Sequence, residues 1–139
     1  MTKPVSTPVK DTSAMISGMA PVLDDTLYHF CLLPNGAEAL ASQALASFAE
    51  DEGLSLILTD QVAQEAGLAR DLPMRRITLT VHSALDGVGL TAAVASALAD
   101  AGIACNMVAA YHHDHAFVPV SDGQRALAIL EELSRSESG

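Results

Sequence analysis

Apolar and polar residues alternate most regularly in the second half of the chain. Over residues 77–81 every second side chain is apolar, which is the period of a strand with one buried face. Residues 88–101 carry apolar side chains at helical spacing, and Gly102 provides the left-handed conformation that commonly ends a helix. Residues 104–120 predict a β-hairpin with a polar turn, and a last amphipathic helix follows. The order βαββα over residues 75–134 therefore predicts one antiparallel sheet with two helices on one face.

The first half of the chain is less regular. Residues 1–11 contain two prolines and few apolar side chains, and they predict a flexible tail. Thr12 or Ser13 can cap a short helix. Residues 27–33 form an apolar run that predicts a buried strand, which the turn signal at 34–36 ends.

Residues 37–52 allow two interpretations. They are rich in Ala and Glu, so local propensity favours one long helix that Asn35 caps. The alternative is a short helix followed by a hairpin, with strands at 45–50 and 54–58. In the second half a hairpin stands immediately before the last helix, so an internal repeat favours the hairpin here too.

A complete βαββαβ unit needs one strand more than residues 75–134 provide. The remaining residues, 135–139, are too short and polar to supply it, so the first half or another chain must do so. We therefore expect an α+β protein of two ferredoxin-like units, of which the first is abbreviated. The predicted organisation is a tail over 1–11, an N-terminal unit over 12–70 and a C-terminal unit over 71–135.

Composition narrows the classes of function. The 139 residues include 17 acids and 7 lysines and arginines, which gives a net charge of −10. This charge disfavours binding to nucleic acid or to an anionic membrane surface. No apolar run has the length of a membrane span, and residues 1–10 lack the apolar core of a secretory signal, so we expect a cytoplasmic protein. Cys31 and Cys105 lie in apolar runs and are interpreted as small buried hydrophobic residues.

Three segments of the second half together resemble the ACT domain: residues 85–91, 101–103 and 106–108. Over about 17–133 the chain is similar to small bacterial proteins with two tandem ACT-like units. It also resembles the paired regulatory ACT domains of aspartate kinases and the animal cytosolic arginine sensors. Further phrases typical of this group lie at 21–24, 28–31, 50–54 and 111–119. The resemblance implies βαββαβ units and, because no kinase domain is present, an output delivered to a partner.

The resemblance also implies a ligand site where the first strand of a unit meets its first helix. The predicted ligand-binding residues are Leu85, Asp86, Gly87, Val88, Gly89, Leu90, Asn106 and Met107. Gly87 and Gly89 allow backbone N–H groups to approach a carboxylate at the start of the helix. Asp86 can accept from an α-ammonium group, and Asn106 offers both a donor and an acceptor. In the alternative interpretation, Asp86 caps the helix and the glycines only shape a turn.

The turn at residues 112–115 carries three histidines and Asp114. Imidazole and carboxylate suit zinc or another first-row metal. On a hairpin, however, His113 and His115 face one side and His112 the other, so a metal would need outside ligands. The remaining interpretations are a solvated polar turn and a pH-sensitive contact at a ligand or subunit interface.

Three of the seven basic residues, Arg70, Arg75 and Arg76, cluster between the halves. They could hold an anionic ligand, but such arginines more often pair with surface acids. The sequence shows no nucleophile elbow and no phosphate-binding loop.

We therefore expect a regulatory protein that is not an enzyme and needs no cofactor. It would bind a small molecule, an amino acid, through its ACT-like units. Its partners would be further copies of itself, as a homodimer or larger homo-oligomer, and an enzyme that it regulates. Two alternatives stay open: a ligand-free dimerisation or assembly module, and a metal-binding protein that uses the turn from His112 to His115.

Overall fold

Strands and helices alternate along the chain in the computed structural model, which describes residues 7–33 and 38–138. The elements in chain order are α1 (Thr12–Ser17), β1 (Pro21–Leu33), α2 (Glu38–Ala41), β2 (Ala46–Glu50), β3 (Gly53–Thr59), α3 (Asp60–Glu65), β4 (Met74–Leu79), α4 (Leu90–Asp100), β5 (Asn106–Ala109), β6 (Asp114–Pro119) and α5 (Gly123–Ser138). A short 3-10 turn precedes α5. The predicted α+β class is confirmed. Among these described helices, none is long and apolar enough to cross a membrane.

The regularly spaced apolar residues of the second half form the buried core. Ile77 and Leu79 on β4 have no exposed surface. On α4, Leu90, Val94 and Leu98 recur at intervals of four residues and are buried together. The strand and the helix therefore each bury the face that the spacing of their apolar residues predicts.

The ambiguous stretch forms the predicted hairpin. Helix α2 contains four residues, and β2 then pairs with β3 in antiparallel register, with Glu50 opposite Gly53. Pairing with β3 outweighs the helix propensity of this Ala-rich sequence. The predicted Asn35 cap and the turn at 34–36 lie outside the described residues.

Packing divides the chain into two compact units. Of the described residues, the terminal unit comprises those up to Asp24 and those from Arg76 onward, and the central unit comprises those from Asp25 to Arg75. This division differs from the predicted domains 12–70 and 71–135, because residues near the N-terminus pack with the second half of the chain.

The terminal unit contains a four-stranded sheet in the order β1-β4-β6-β5, to which β1 contributes its first residues. The Thr80 N–H donates to the Met19 C=O at 2.7 Å, and Arg76 contacts Asp24 at 3.1 Å, so β1 and β4 run in opposite directions. The strand that βαββα lacked is thus supplied by the first half of the same chain.

Helix α1 completes the core of the terminal unit. Met15, Ile16 and Met19 are buried in one cluster with residues of β4, α4, β6 and α5. Gly18 ends the helix, and Asp11 caps it instead of Thr12 or Ser13. The residues of the predicted tail from Thr7 onward are therefore attached to a packed helix.

The central unit is built on the strand order β2-β3-β1, with the later part of β1. Leu56, Leu58 and Ala63 form its buried cluster, against which Cys31 and Leu33 pack. Helix α3 lies over this side of the sheet and supplies Ala63.

Candidate functional site

The loop between β4 and α4 ends at Gly89, so helix α4 begins without a side-chain cap; we call this an open helix start. The Gly87 N–H donates to the Ala84 C=O at 2.9 Å and forms a tight turn. Gly89 is the N-cap of α4, with φ of 108°, and makes no side-chain cap hydrogen bond. The Ala93 N–H makes the first bond back, to the Gly89 C=O. The N–H groups of Leu90 and Thr91 thus precede the first intrahelical bond and can donate to an acceptor group of a ligand.

A cavity of about 120 Å³ lies beside this helix start. Its lining residues are Met15, Ser83, Ala84, Leu85, Gly87, Gly89, Leu90, Thr91, Ala109 and Asp114. This volume is larger than a single bound water needs and can admit the head group of a small organic molecule.

A buried acid faces the cavity from the start of β6. Asp114 is 8% exposed, and its Oδ2 accepts from the Ser83 hydroxyl at 3.2 Å. A carboxylate has about four acceptor sites, so one bond from Ser83 leaves capacity for a ligand donor. The cavity therefore combines helix N–H donors with a carboxylate acceptor.

The structure brings together part of the predicted site. Leu85, Gly87, Gly89 and Leu90 line the cavity. Val88 is 77% exposed and is not among the lining residues.

Asp86 points to solvent and pairs with Lys10. Its Oδ2 accepts from the Lys10 ammonium at 2.9 Å, and this bond lowers the pKa of the carboxyl. The Asp86 side chain is 75% exposed. The interpretation of Asp86 as the helix cap is wrong, because Gly89 occupies that position without a side-chain bond.

The predicted residues Asn106 and Met107 lie toward the other end of β5. Asn106 pairs with Phe117 at the start of the strand, whereas Ala109 at its end lines the cavity. Three residues of extended strand span roughly 10 Å. Met107 packs against the apolar core instead.

Six lining residues were not in the predicted site: Met15, Ser83, Ala84, Thr91, Ala109 and Asp114. Met15 comes from α1, which the sequence assigned to the other unit. Asp114 was considered only as a candidate metal ligand in the histidine-rich turn. The signal that could have found it is its position directly before an apolar strand that pairs with β5.

The N-terminal segment is hydrogen-bonded to the loop between β4 and α4. The Val9 N–H donates to the His82 C=O at 2.7 Å, and the Ala84 N–H donates to the Val9 C=O at 2.8 Å. The Thr12 hydroxyl donates to the Val88 C=O. The described part of the predicted tail is therefore hydrogen-bonded to the candidate site.

The histidine-rich turn separates its side chains as predicted. His115 lies 3.0 Å from the Thr78 hydroxyl and His113 lies 3.3 Å from the Val81 C=O, whereas His112 stacks on His82 with ring centres 4.7 Å apart. Burial, with the charge of Arg76 second, lowers the pKa of His115. Among the described residues, no group of three His, Cys, Asp or Glu side chains is arranged to hold a metal ion.

The three clustered arginines pair with acids. Arg70 contacts Asp60, Arg75 contacts Asp25 and Arg76 contacts Asp24, at 2.9 to 3.1 Å. The interpretation as ion pairs is confirmed. Both cysteines are half-buried in apolar clusters, and burial raises the pKa of both thiols.

Two family models described as ACT domain match the chain, one over residues 7–75 and the other over residues 72–132. No curated protein matches the sequence.

Solved structures share the fold. A Vibrio cholerae protein of unknown function, described as a possible transport protein, is 41% identical. The match covers 88% of this chain and 94% of that one, with a TM-score of 0.79. An Agrobacterium tumefaciens protein is 20% identical over 78% of this chain and 83% of that one, with a TM-score of 0.63. The ligand-free regulatory subunit of Thermus thermophilus aspartate kinase is 11% identical, over 84% and 97% of the chains, with a TM-score of 0.62.

Proposed function

Because the chain belongs to the ACT domain family, whose members are regulatory and bind small ligands, we propose that it is a non-enzymatic, amino-acid-binding regulatory protein. The observation that carries this proposal is the cavity between the open start of α4 and the buried carboxylate of Asp114. These two features offer complementary partners to the two charges of an amino acid.

The ligand carboxylate would accept from the N–H groups of Leu90 and Thr91, where the helix dipole favours negative charge. The ammonium group would donate to Asp114, which is held in place by Ser83. The cavity of about 120 Å³ fits this head group, and Leu85, which is 69% exposed, would contact the ligand side chain. The site thus recognises the part that all amino acids share.

Regulation would follow from the elements that the site joins. Met15 of α1, the Gly89 turn and Asp114 of β6 all line the cavity, so a ligand would stabilise the arrangement in which they meet. A partner enzyme that binds this arrangement more tightly than the unliganded one would sense the ligand. We further propose that the protein acts as a homodimer or larger homo-oligomer.

A second candidate function, assembly without a ligand, is favoured by an apolar sheet face in the central unit. Leu32 and Phe48 both stand opposite Ser55, on its two neighbouring strands, and are 48% and 73% exposed. Such exposed apolar surface is typical of an interaction site.

Thermal unfolding with each of the twenty amino acids tests the proposal. A ligand at 100 times its dissociation constant should raise stability by roughly 2.7 kcal/mol. Asp114→Asn should remove this shift, whereas Asp100→Asn, on the exposed part of α4, should keep it. Asn106→Ala should also keep it, because Asn106 does not line the cavity.

No shift with any amino acid, or an equal shift in Asp114→Asn, would overturn the ligand assignment. The assembly function is measured separately by light scattering of Phe48→Ser. A reduced mass without any amino-acid response would favour the assembly module.

A further inference from the structure

The central unit contains a second cavity that the site above does not use. It measures about 160 Å³ and lies where β1 faces the segment before β4. Its lining residues are His29, Phe30, Ala69, Asp71, Leu72 and Met74. All six belong to the central unit.

His29 is held rigidly at the cavity wall. The side chain is 3% exposed, and its Nε2 lies 2.7 Å from Asp60 Oδ1. The Arg70 guanidinium donates to both oxygens of Asp60, at 2.9 and 3.2 Å. A carboxylate paired in this way is ionised and can only accept, so Nε2 of His29 must carry the proton that it donates.

This hydrogen bond determines what His29 offers to the cavity. In the neutral ring with the proton on Nε2, Nδ1 has a lone pair and acts as an acceptor. The hydrogen bond between His29 and Asp60 uses Nε2 and leaves Nδ1 as the other ring nitrogen. Nδ1 is therefore the acceptor that this ring can offer to a ligand in the cavity.

Asp71 adds a negative charge to the same cavity. It is exposed and makes no ion pair with any described residue, although the neighbouring Arg70 pairs with Asp60. The two polar groups of the cavity thus both accept hydrogen bonds, and one of them is anionic.

The rest of the wall is apolar. Leu72 is 57% exposed and Phe30 is 47% exposed, while Met74 is buried. Two large exposed apolar residues beside one cavity are what a ligand with a hydrocarbon part would cover.

We propose that this cavity binds a small organic cation, a primary ammonium group on a short hydrocarbon chain. The ammonium group donates to His29 Nδ1 and to the Asp71 carboxylate. The hydrocarbon chain lies against Leu72 and Met74. This site is separate from the amino-acid site proposed for the terminal unit, and neither requires the other.

Three probes of similar size and different charge test the proposal: propylammonium, propanol and propionate. Each is titrated into the full-length protein, and NMR follows the His29 ring proton and the methyl groups of Leu72 and Met74. Propylammonium should give saturable shifts at these positions. Propanol should bind more weakly, because it lacks the charge, and propionate should give no saturable shift.

Asp71→Asn should weaken propylammonium binding about fivefold, the range expected for a partly exposed charge pair. Asp51→Asn is the matched control, because Asp51 lies in the exposed β2–β3 turn of the same unit and should leave binding unchanged. Asp71 is itself exposed, so its replacement keeps the fold.

Equal binding of propionate and propylammonium would overturn the proposal. So would the absence of saturable shifts, or an Asp71→Asn variant that binds propylammonium like the wild type. In those cases His29, Asp60 and Arg70 form a purely structural network.

Discussion

Helices α3 and α4 begin in opposite ways. At the start of α3, the Thr59 hydroxyl accepts from the Val62 N–H at 3.3 Å, and Asp60 in the first turn is bonded to His29 and Arg70. At the start of α4, Gly89 has no side chain to offer, and no acid lies in the first turn. Helix α3 begins with a side-chain cap, and helix α4 begins without one.

This difference shows what distinguishes a structural turn from a candidate site. A side-chain cap adds stability and occupies an N–H group that a ligand could otherwise bind. An open start forgoes that cap, so its N–H groups need water or a ligand. In the terminal unit, the cavity and Asp114 stand beside this open start.

Replacing Gly89 should lower the free energy of unfolding more than any other change that tests the difference between the two helix starts. A Cβ at this position would lie 2.6 Å from Thr12 Cγ2, and the φ of 108° is unfavourable for any residue with a side chain. We expect Gly89→Ala to lower the free energy of unfolding by about 2–4 kcal/mol, measured by urea unfolding.

Gly67→Ala provides the matched control. Gly67 also has positive φ, of 70°, but no described atom beyond its chain neighbours lies within 4 Å of the place that an added Cβ would take. Its cost should be about 1 kcal/mol, from the backbone conformation alone. Adding Thr12→Ser to Gly89→Ala removes the clashing methyl group and should recover part of the loss. Equal costs at Gly67 and Gly89 would show that Thr12 does not press on the turn.

The sequence predicts elements well where each residue's role is decided by near neighbours. The alternation at Ile77 and Leu79 and the helical spacing of Leu90, Val94 and Leu98 both give the observed core. The hairpin over 46–59 could be chosen over a helix because the two halves repeat.

The first part of β1 was not predicted, and the reason is physical. The strand was expected at residues 27–33, whereas it begins at Pro21. Asp24 is neutralised by Arg76 in the terminal unit, and Asp25 by Arg75 in the central unit. These pairs join residues about 50 positions apart, which local pattern cannot anticipate.

For the same reason, only part of the candidate site could be predicted from the sequence. Its loop could be predicted from the glycines at 87 and 89, which are close in sequence. Met15 and Asp114 reach the cavity only through the packing of α1 and the pairing of β6. Asn106 was placed in the site by resemblance, but its position at the start of β5 takes it away from the cavity.

The hydrogen bonds of Asp60 at the start of α3 should make the stability of the protein depend on pH in acid. Hydrogen bonds from Arg70 first, and then from His29, lower the pKa of Asp60 from its ordinary value of 3.8 to about 2. Because the folded state holds the ionised form, this contribution is complete above pH 3.8 and is lost as the pH falls through about 2. The Asp60→Asn variant should therefore unfold at lower urea concentration than the wild type near neutral pH.

The difference between the two proteins should shrink as the pH falls from about 4 to 2, measured as the urea midpoint at each pH. Asp122→Asn, which removes a long contact of 3.5 Å with Arg125 before α5, is the control and should show a smaller difference. A difference for Asp60→Asn that stays constant with pH would contradict the assignment, since it would not depend on ionisation.

Lys10→Gln should have the smallest effect, although its ion pair lies directly on the loop of the open helix start. The two side chains are 66% and 75% exposed, and ion pairs in water contribute little because solvent screens them. We expect the urea midpoint to stay within its error, while the pKa of Asp86, observed by carboxyl NMR, rises toward its ordinary value. Deleting residues 1–9 is the contrasting variant, because it leaves Lys10 in place but removes the two backbone bonds of Val9, and it should cost about 1–2 kcal/mol. A large loss of stability in Lys10→Gln together with no loss in the deletion variant would show that the ion pair, and not the backbone bonds of Val9, holds the segment.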